Sequence, residues 1–540
     1  MSATSGAASG PAAGASSRPG ADVATPWLAT LPRAGVAAFT GLVAVVTVSA
    51  AVGVLPRWPG LVHLVALPPL DLAADLRLAL ARAPSYPVFL AGLGLSLAVR
   101  ITVLALLLGG PRAPRWRLAT GLYAAALLPA LLAAQVDFVA RTALYSRAFG
   151  ASLAVLAVLV LVLGAAPWTG ADQLGAALRR SVASGLRVAD LAAYLVLLLA
   201  LGTVAEWLGT AWAAVVAVPV SGLLTLLAAR RLSAAGPLRP WRYLLVTVAV
   251  GVAIAALVVV SRGTPWMTSD AERDGAALIM SGINSASGEG AIFELEPERV
   301  GYVCEQMFYY SYAGTGDGQP QGDAACPIRT GAPYDPEDTQ RPFDEQVELL
   351  AAQADRLPEP VVVFAHSQAA WVAWEAAAAG VLPQDTSLVL VGPFPSSPTG
   401  FPPPDDVGPG RVGGELFRLL EPVPELVDFD FEVDAPLTHE LLARPDAASE
   451  VFSRSLPEDV EALAVTASSD LALMPDGWRI EQATNVCPVR EAHPYLPITP
   501  AFHHAADRFL DGDRGQEACP PWPELYRLAT QALGAPPHDA

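Results

Sequence analysis

Pro360-Val-Val-Val-Phe-Ala-His-Ser-Gln-Ala-Ala-Trp-Val-Ala-Trp-Glu375 is the stretch whose reading decides the fold. Val361 to Phe364 form an unbroken apolar run, mostly β-branched, as expected of a strand buried on both faces. The run gives way to a tight Ala365-His366-Ser367-Gln368-Ala369 turn, then to an alanine-rich helix carrying Trp371 and Trp374. Such a strand needs helices above and below it, which predicts an α/β domain with a mostly parallel sheet. Ser367 stands at the tip of the turn. The neighbouring Gln368 N–H lies at a helix N-terminus, where it favours negative charge.

Working outward, strand-like and helix-like segments alternate. Ala276-Ala-Leu-Ile-Met280 reads as the first buried strand and runs into Ser281-Gly282-Ile283-Asn284-Ser285. Residues 306–312 read as the next strand, closed by Ala313-Gly314 and a Gly/Asp-rich loop. Residues 338–356 fit an amphipathic helix, with Phe343, Val347, Leu350 and Ala351 on one face. Strands are expected again at Ser387–Val391 and 462–466. The Pro-rich, acidic segment 393–458 is too long for an ordinary loop and reads either as a lid or cap insertion or as a disordered excursion.

Composition divides the chain. All 33 basic residues are arginine; residues 1–262 hold 19 of them against 7 acidic residues, whereas 263–540 hold 14 against 45. The net charge is −19 and the mean hydropathy is +0.41, so one soluble domain is not expected of these 540 residues. The acidic half would repel a phosphate backbone, which argues against nucleic acid as a partner.

Residues 1–33 read as a disordered Ala/Gly/Ser/Pro tail without the layout of a cleavable signal peptide. A multi-pass domain then fills 34–262, with seven spans expected at about 34–56, 86–109, 118–136, 148–167, 189–207, 210–229 and 242–261. With the N-terminus inside, twelve arginines fall on inner segments, and five (Arg57, Arg77, Arg82, Arg141 and Arg147) fall on outer loops. That asymmetry is the positive-inside pattern, and an odd number of spans places 263–540 outside the cell membrane. Cysteine usage points the same way: Cys304, Cys326, Cys487 and Cys519 are all in the acidic half, as in an oxidising compartment. Three pairings are open, of which nearest-neighbour Cys304–Cys326 and Cys487–Cys519 is one; a zinc site lacks any C-x-x-C spacing. Arg100, Asp137 and Glu206 fall within spans. Arg100 is expected to snorkel or pair, and the two acids to reach the interface near span ends.

With these residues in place, 275–515 resembles the α/β-hydrolase superfamily, in particular bacterial lipase/esterase-like serine hydrolases. The resemblance rests on Ser281-Gly282-Ile283 after the first strand, Ser311-Tyr312-Ala313-Gly314 after the second, and the Ala-His-Ser-Gln-Ala turn. The turn departs from G-x-S-x-G at both outer positions, and Ser281 stands where the family often has histidine. The resemblance implies a triad in the order Ser, acid, His. Ser367 would be nucleophile, Asp470 the acid after a late strand, His493 the base, and the Gln368 and Ile283 N–H groups the oxyanion hole. No metal or organic cofactor is implied. Asp476 is the rival acid, in a Pro-Asp-Gly turn; His503 and His504 are expected on the surface of a terminal helix, with His439 and His538 farther away. The expected activity is cleavage or transfer of an ester acyl group, the substrate lipid-like or envelope-associated. The oligomeric state is not legible. Two other readings stand beside it: a catalytically inactive hydrolase fold serving as a sensor on a membrane anchor, and an accessory domain of a transporter.

Overall fold

In a computed structural model of the chain, residues 31–110, 112–234, 266–397, 399–419, 431–515 and 518–536 are described. The expected tail before residue 31, the span at 242–261 and the 262/263 boundary lie outside them. The first half is helical: α1 (Arg33–Ala51), α2 (Leu70–Arg82), α3 (Tyr86–Leu107), α4 (Ala113–Thr142), α5 (Ser146–Leu163), α6 (Leu174–Ala183), α7 (Val188–Trp207) and α8 (Ala211–Ala234). Among the described residues, six helices are long and apolar enough to cross a membrane. They correspond to the first six expected spans, and a three-residue turn separates α7 from α8.

The connection from α1 to α3 differs from expectation. It is not a solvent loop: a 3-10 turn, Pro59–Val65, and α2 fold into the helical half, with Leu61, Val62, Val65, Leu72, Leu76 and Leu80 fully buried. Backbone of this kind survives inside a helical bundle only where its polar groups find partners. Ser221 and Thr225 of α8 donate to the carbonyls of Val62 (2.6 Å) and Val65 (2.8 Å), and the Leu67 N–H donates to the Tyr194 hydroxyl (3.0 Å). Arg100 donates to the Leu64 carbonyl (3.1 Å) and pairs with Asp71 (3.0 Å) and with Asp75. Arg100 therefore pairs rather than snorkels. Asp137 does not reach the interface either. It is fully buried, with Arg77 at 3.4 Å and Arg141 at 3.5 Å. Glu206 does sit in the last turn of α7.

The second half is built on six parallel strands in the order β2-β1-β3-β4-β5-β6. The strands are β1 (Ala276–Met280), β2 (Met307–Tyr309), β3 (Val361–His366), β4 (Ser387–Val391), β5 (Glu461–Val465) and β6 (Thr484–Asn485). The two-residue β6 was not expected; it is too short to leave an apolar run. The helices are α9 (Phe343–Ala354), α10 (Ala369–Ala378), α11 (Arg411–Leu419), α12 (Ala447–Phe452), α13 (Pro500–Leu510) and α14 (Trp522–Leu533). Trp371 and Trp374 of α10 are buried and meet Phe452 of α12 edge-on at 6.3 and 5.4 Å. Disulfides join Cys304 to Cys326 and Cys487 to Cys519. His503 corrects its expectation: it is buried on α13, its Nδ1 2.9 Å from the Thr499 carbonyl.

The two halves pack together at the ends of the spans that carry the 52–85 connection and the α4–α5 turn. In the 393–458 insertion, α11 lies on α4: Gln135 donates to the Gly413 carbonyl (3.0 Å), and a Cβ at Gly413 would come within 2.6 Å of the Phe138 ring. The described part of this insertion is thus packed structure. Helix α14, also not expected, sets Ala532 against Gly202 of α7 and ends with its Leu533 carbonyl accepting from Arg77.

Candidate active site

Strands β1 and β3 are neighbours from which the sheet grows in opposite directions. Loops leaving their C-terminal ends open a crevice at such a point. Ser367 occupies the end of β3 with φ +60°, a left-handed conformation that costs a non-glycine residue roughly 1–3 kcal/mol. Packing holds it there: the Ser367 N–H donates to the Val391 carbonyl (2.8 Å), and Ala365 and Ala369 are fully buried. The tightest approach to the turn comes from across the crevice. A Cβ at Gly282 would lie 2.6 Å from Ser367 Cβ and 3.2 Å from its Oγ. The glycine this elbow needs is therefore on the β1 loop, while the turn itself tolerates alanine at both flanks.

Gly282 brings the start of this loop against Ser367, and Ile283 and Gln368 line the same cavity as the serine. Neither the Ile283 nor the Gln368 N–H has a hydrogen-bond partner among the described residues. The Gln368 side chain is fixed by Gln346 of α9 (2.9 Å), and the Tyr312 hydroxyl donates to the Ser281 carbonyl (2.6 Å). Both loops are thereby held in place.

Asp470 and His493 come from loops that β5 and the segment after β6 send to the same edge. Ser468 donates to the Val489 carbonyl (2.7 Å) and Val489 to that of Thr466 (2.8 Å), so the two loops run joined. Ser469 completes the alignment: its Oγ accepts from the His493 N–H (3.0 Å) and donates to Asp470 Oδ1 (2.9 Å). A carboxylate only accepts, so His493 Nδ1–H donates to Asp470 Oδ2, at 2.6 Å. That leaves Nε2 as the basic nitrogen. It is buried without a partner, and His493 lines the same cavity as Ser367.

The His493 ring is gripped on its faces by His366 (centroids 4.9 Å apart) and Phe394 (5.0 Å). Behind it, Gly392 has φ +64°, and a Cβ there would meet His493 Cε1 at 2.7 Å and Nδ1 at 2.8 Å. Gly392, Phe394 and Ser469 were missed from sequence. The only available cues were a Gly-Pro pair after a strand and the adjacency of Ser469 to Asp470. The rivals stand elsewhere: Asp476 is exposed, His439 faces Asp434 at 3.1 Å, His504 is partly exposed on α13, and His538 lies outside the described residues.

His366 Nε2 donates to the His493 carbonyl (3.2 Å). Burial, together with the neighbouring His493, pushes the His366 pKa from 6.5 down to about 3. A neutral His366 does not oppose formation of a cation on His493. The folded pKa is below the unfolded one, so the unfolded chain binds the proton more tightly. This contribution to stability is complete above pH 6.5 and falls on acidification toward pH 3, by at most about 1.4 kcal/mol per pH unit. Thermal unfolding of the full chain at a series of pH values should show a shallower acid-side slope for His366→Gln than for wild type.

The cavity over Ser367 has a volume of about 590 Å³. Its floor is Ser281, Gly282, Ser367 and His493, and Phe394 and Leu442 of the insertion close one side. Another wall belongs to the helical half: Ala143, Leu144, Tyr145, Ser146 and Arg147, where α4 turns into α5. Nothing in the sequence linked this connection to Ser367.

No family model, curated protein or solved structure matches this chain. The functional reading therefore rests on geometry and chemistry. A serine hydroxyl, an imidazole oriented by a buried carboxylate, and two unpaired N–H groups around one cavity are the parts that acyl transfer requires.

Proposed function

We propose that the chain is a membrane-anchored serine hydrolase of the α/β-hydrolase type, cleaving an ester or transferring its acyl group. The observation that carries this reading is the Asp470–His493 pair, whose free Nε2 shares a cavity with Ser367. Ser367 Oγ attacks the ester carbonyl carbon as its proton passes to His493 Nε2. The Gln368 and Ile283 N–H groups stabilise the oxyanion. The intermediate collapses as the C–O bond to the alcohol breaks, and His493 returns the proton to the leaving oxygen. Water, or a second alcohol, then attacks the acyl-Ser367 ester by the same route and frees the serine.

On this proposal the hydrolase half lies outside the cell membrane. The two disulfides suit an oxidising compartment, and this half packs against the ends of the spans away from Arg112, Arg115, Arg117, Arg179 and Arg180. The partners are then the bilayer and an ester or lipid-like substrate.

A fluorophosphonate probe tests the reading on the full chain in detergent. The expected result is covalent labelling of the parent protein that Ser367→Ala abolishes. An unlabelled parent would favour the sensor reading and end the hydrolase one.

A further inference from the structure

We infer that the substrate is an anionic ester anchored in the bilayer leaflet, and that the membrane half reads its charge through Arg147. This rests on the hydrolase reading above and names the substrate class of the same site.

The first observation is where the cavity opens. One wall, residues 143–147, is the connection between α4 and α5, both long and apolar enough to cross a membrane. Such a connection stands where hydrocarbon gives way to headgroups. An ester of a membrane lipid lies at that depth while its chains stay in the leaflet. A cavity of about 590 Å³ suits a small-molecule-sized group, so it takes the ester with a part of the amphiphile and leaves the rest in the bilayer. A freely soluble substrate would have no use for a wall built by two spans.

The second observation is the charge on that wall. Arg147 is exposed, lines the cavity, and forms no ion pair with a carboxylate among the described residues. Its guanidinium lies 5.1 Å from the centre of the Tyr495 ring, two residues past His493, and Arg147 lines the same cavity as Ser367 and His493. Glu289, the acidic residue of the same lining, forms no ion pair with it among the described residues. A guanidinium carries five N–H donors in a fork that matches carboxylate and phosphate oxygens.

The test uses the full chain reconstituted in lipid vesicles. Fluorogenic lipid esters of one acyl chain carry a phosphate, a carboxylate or a neutral headgroup, and a short water-soluble ester is run beside them. The wild type should prefer the anionic lipids, and the phosphate and carboxylate arms show which anion it takes. Arg147→Ala should lower kcat/KM on anionic relative to neutral lipid by about tenfold or more, mainly through KM, with Arg147→Lys recovering part and Arg147→Glu inverting the preference. Probe labelling of Ser367 in each variant verifies a folded site. An unchanged anionic-to-neutral ratio in labelled variants overturns the inference while the hydrolase reading stands, as does equal efficiency on the soluble ester. Absence of Ser367-dependent turnover on every ester overturns both.

Discussion

Ser367→Ala should lower ester turnover by at least about 10³-fold, and Asp470→Asn by about 10⁴-fold, with both proteins still folded. The serine change deletes one oxygen from a half-buried residue and leaves the Ser367 N–H to Val391 bond intact. Whatever catalysis remains then comes from binding and the oxyanion donors alone. Asp470→Asn acts through proton position. The carboxylate now accepts from His493 Nδ1–H. An amide that donates to Nδ1 instead would move the imidazole proton to Nε2, and the base facing Ser367 would be lost. Steady-state kinetics on a fluorogenic ester, paired with thermal unfolding of each variant, check both effects. Turnover above about a tenth of wild type in Ser367→Ala would rule out the nucleophile assignment.

The second large effect is expected far from Ser367. Arg100→Ala should destabilise the helical half by about 3–5 kcal/mol, because it removes the cation from the buried Asp71 and the partly exposed Asp75. The same substitution frees the Leu64 carbonyl, one of the contacts that keep the 59–82 segment folded inward. Thermal unfolding in detergent and limited proteolysis of this segment give the readouts. Combining Arg100→Ala with Asp71→Asn and Asp75→Asn should restore much of the loss, since removing a whole charge set costs less than removing one partner. No recovery in the triple variant would mean that the arginine acts by packing and not by charge. The transporter reading makes a different demand: function that fails in Arg100→Ala and survives in Ser367→Ala.

Much of this protein is legible locally. A buried parallel strand must be apolar on both faces, so Val361 to Phe364 announce it, as do 276–280 and 387–391, whose bounds the structure keeps. The six described spans are legible for the same reason: a bilayer demands a long apolar run, and a run needs no knowledge of its neighbours. The cysteines pair in the nearest-neighbour way, one of the three pairings that the sequence left open. The resemblance to the α/β-hydrolases, matched to order along the chain, nominated Ser367, Asp470 and His493.

Much of what local reading missed depends on a partner that lies far away in sequence. The acids that neutralise Arg100 are 25 and 29 residues from it, on a segment whose composition resembles an ordinary amphipathic loop. His503 looked like a surface residue until Trp266 and Thr499 covered it. The close approach of Gly282 to Ser367 lies beyond any local window.

By itself, then, the chain determined the two-part architecture and the parallel sheet, because burial on both faces and bilayer length are written in contiguous residues. Only the tertiary structure decided how closely His493 and Asp470 meet, which glycines make room for them, and that the α4–α5 connection walls the cavity over Ser367. Those are contacts between surfaces that fold separately in the chain and meet only in space, and no local pattern encodes the distance between them.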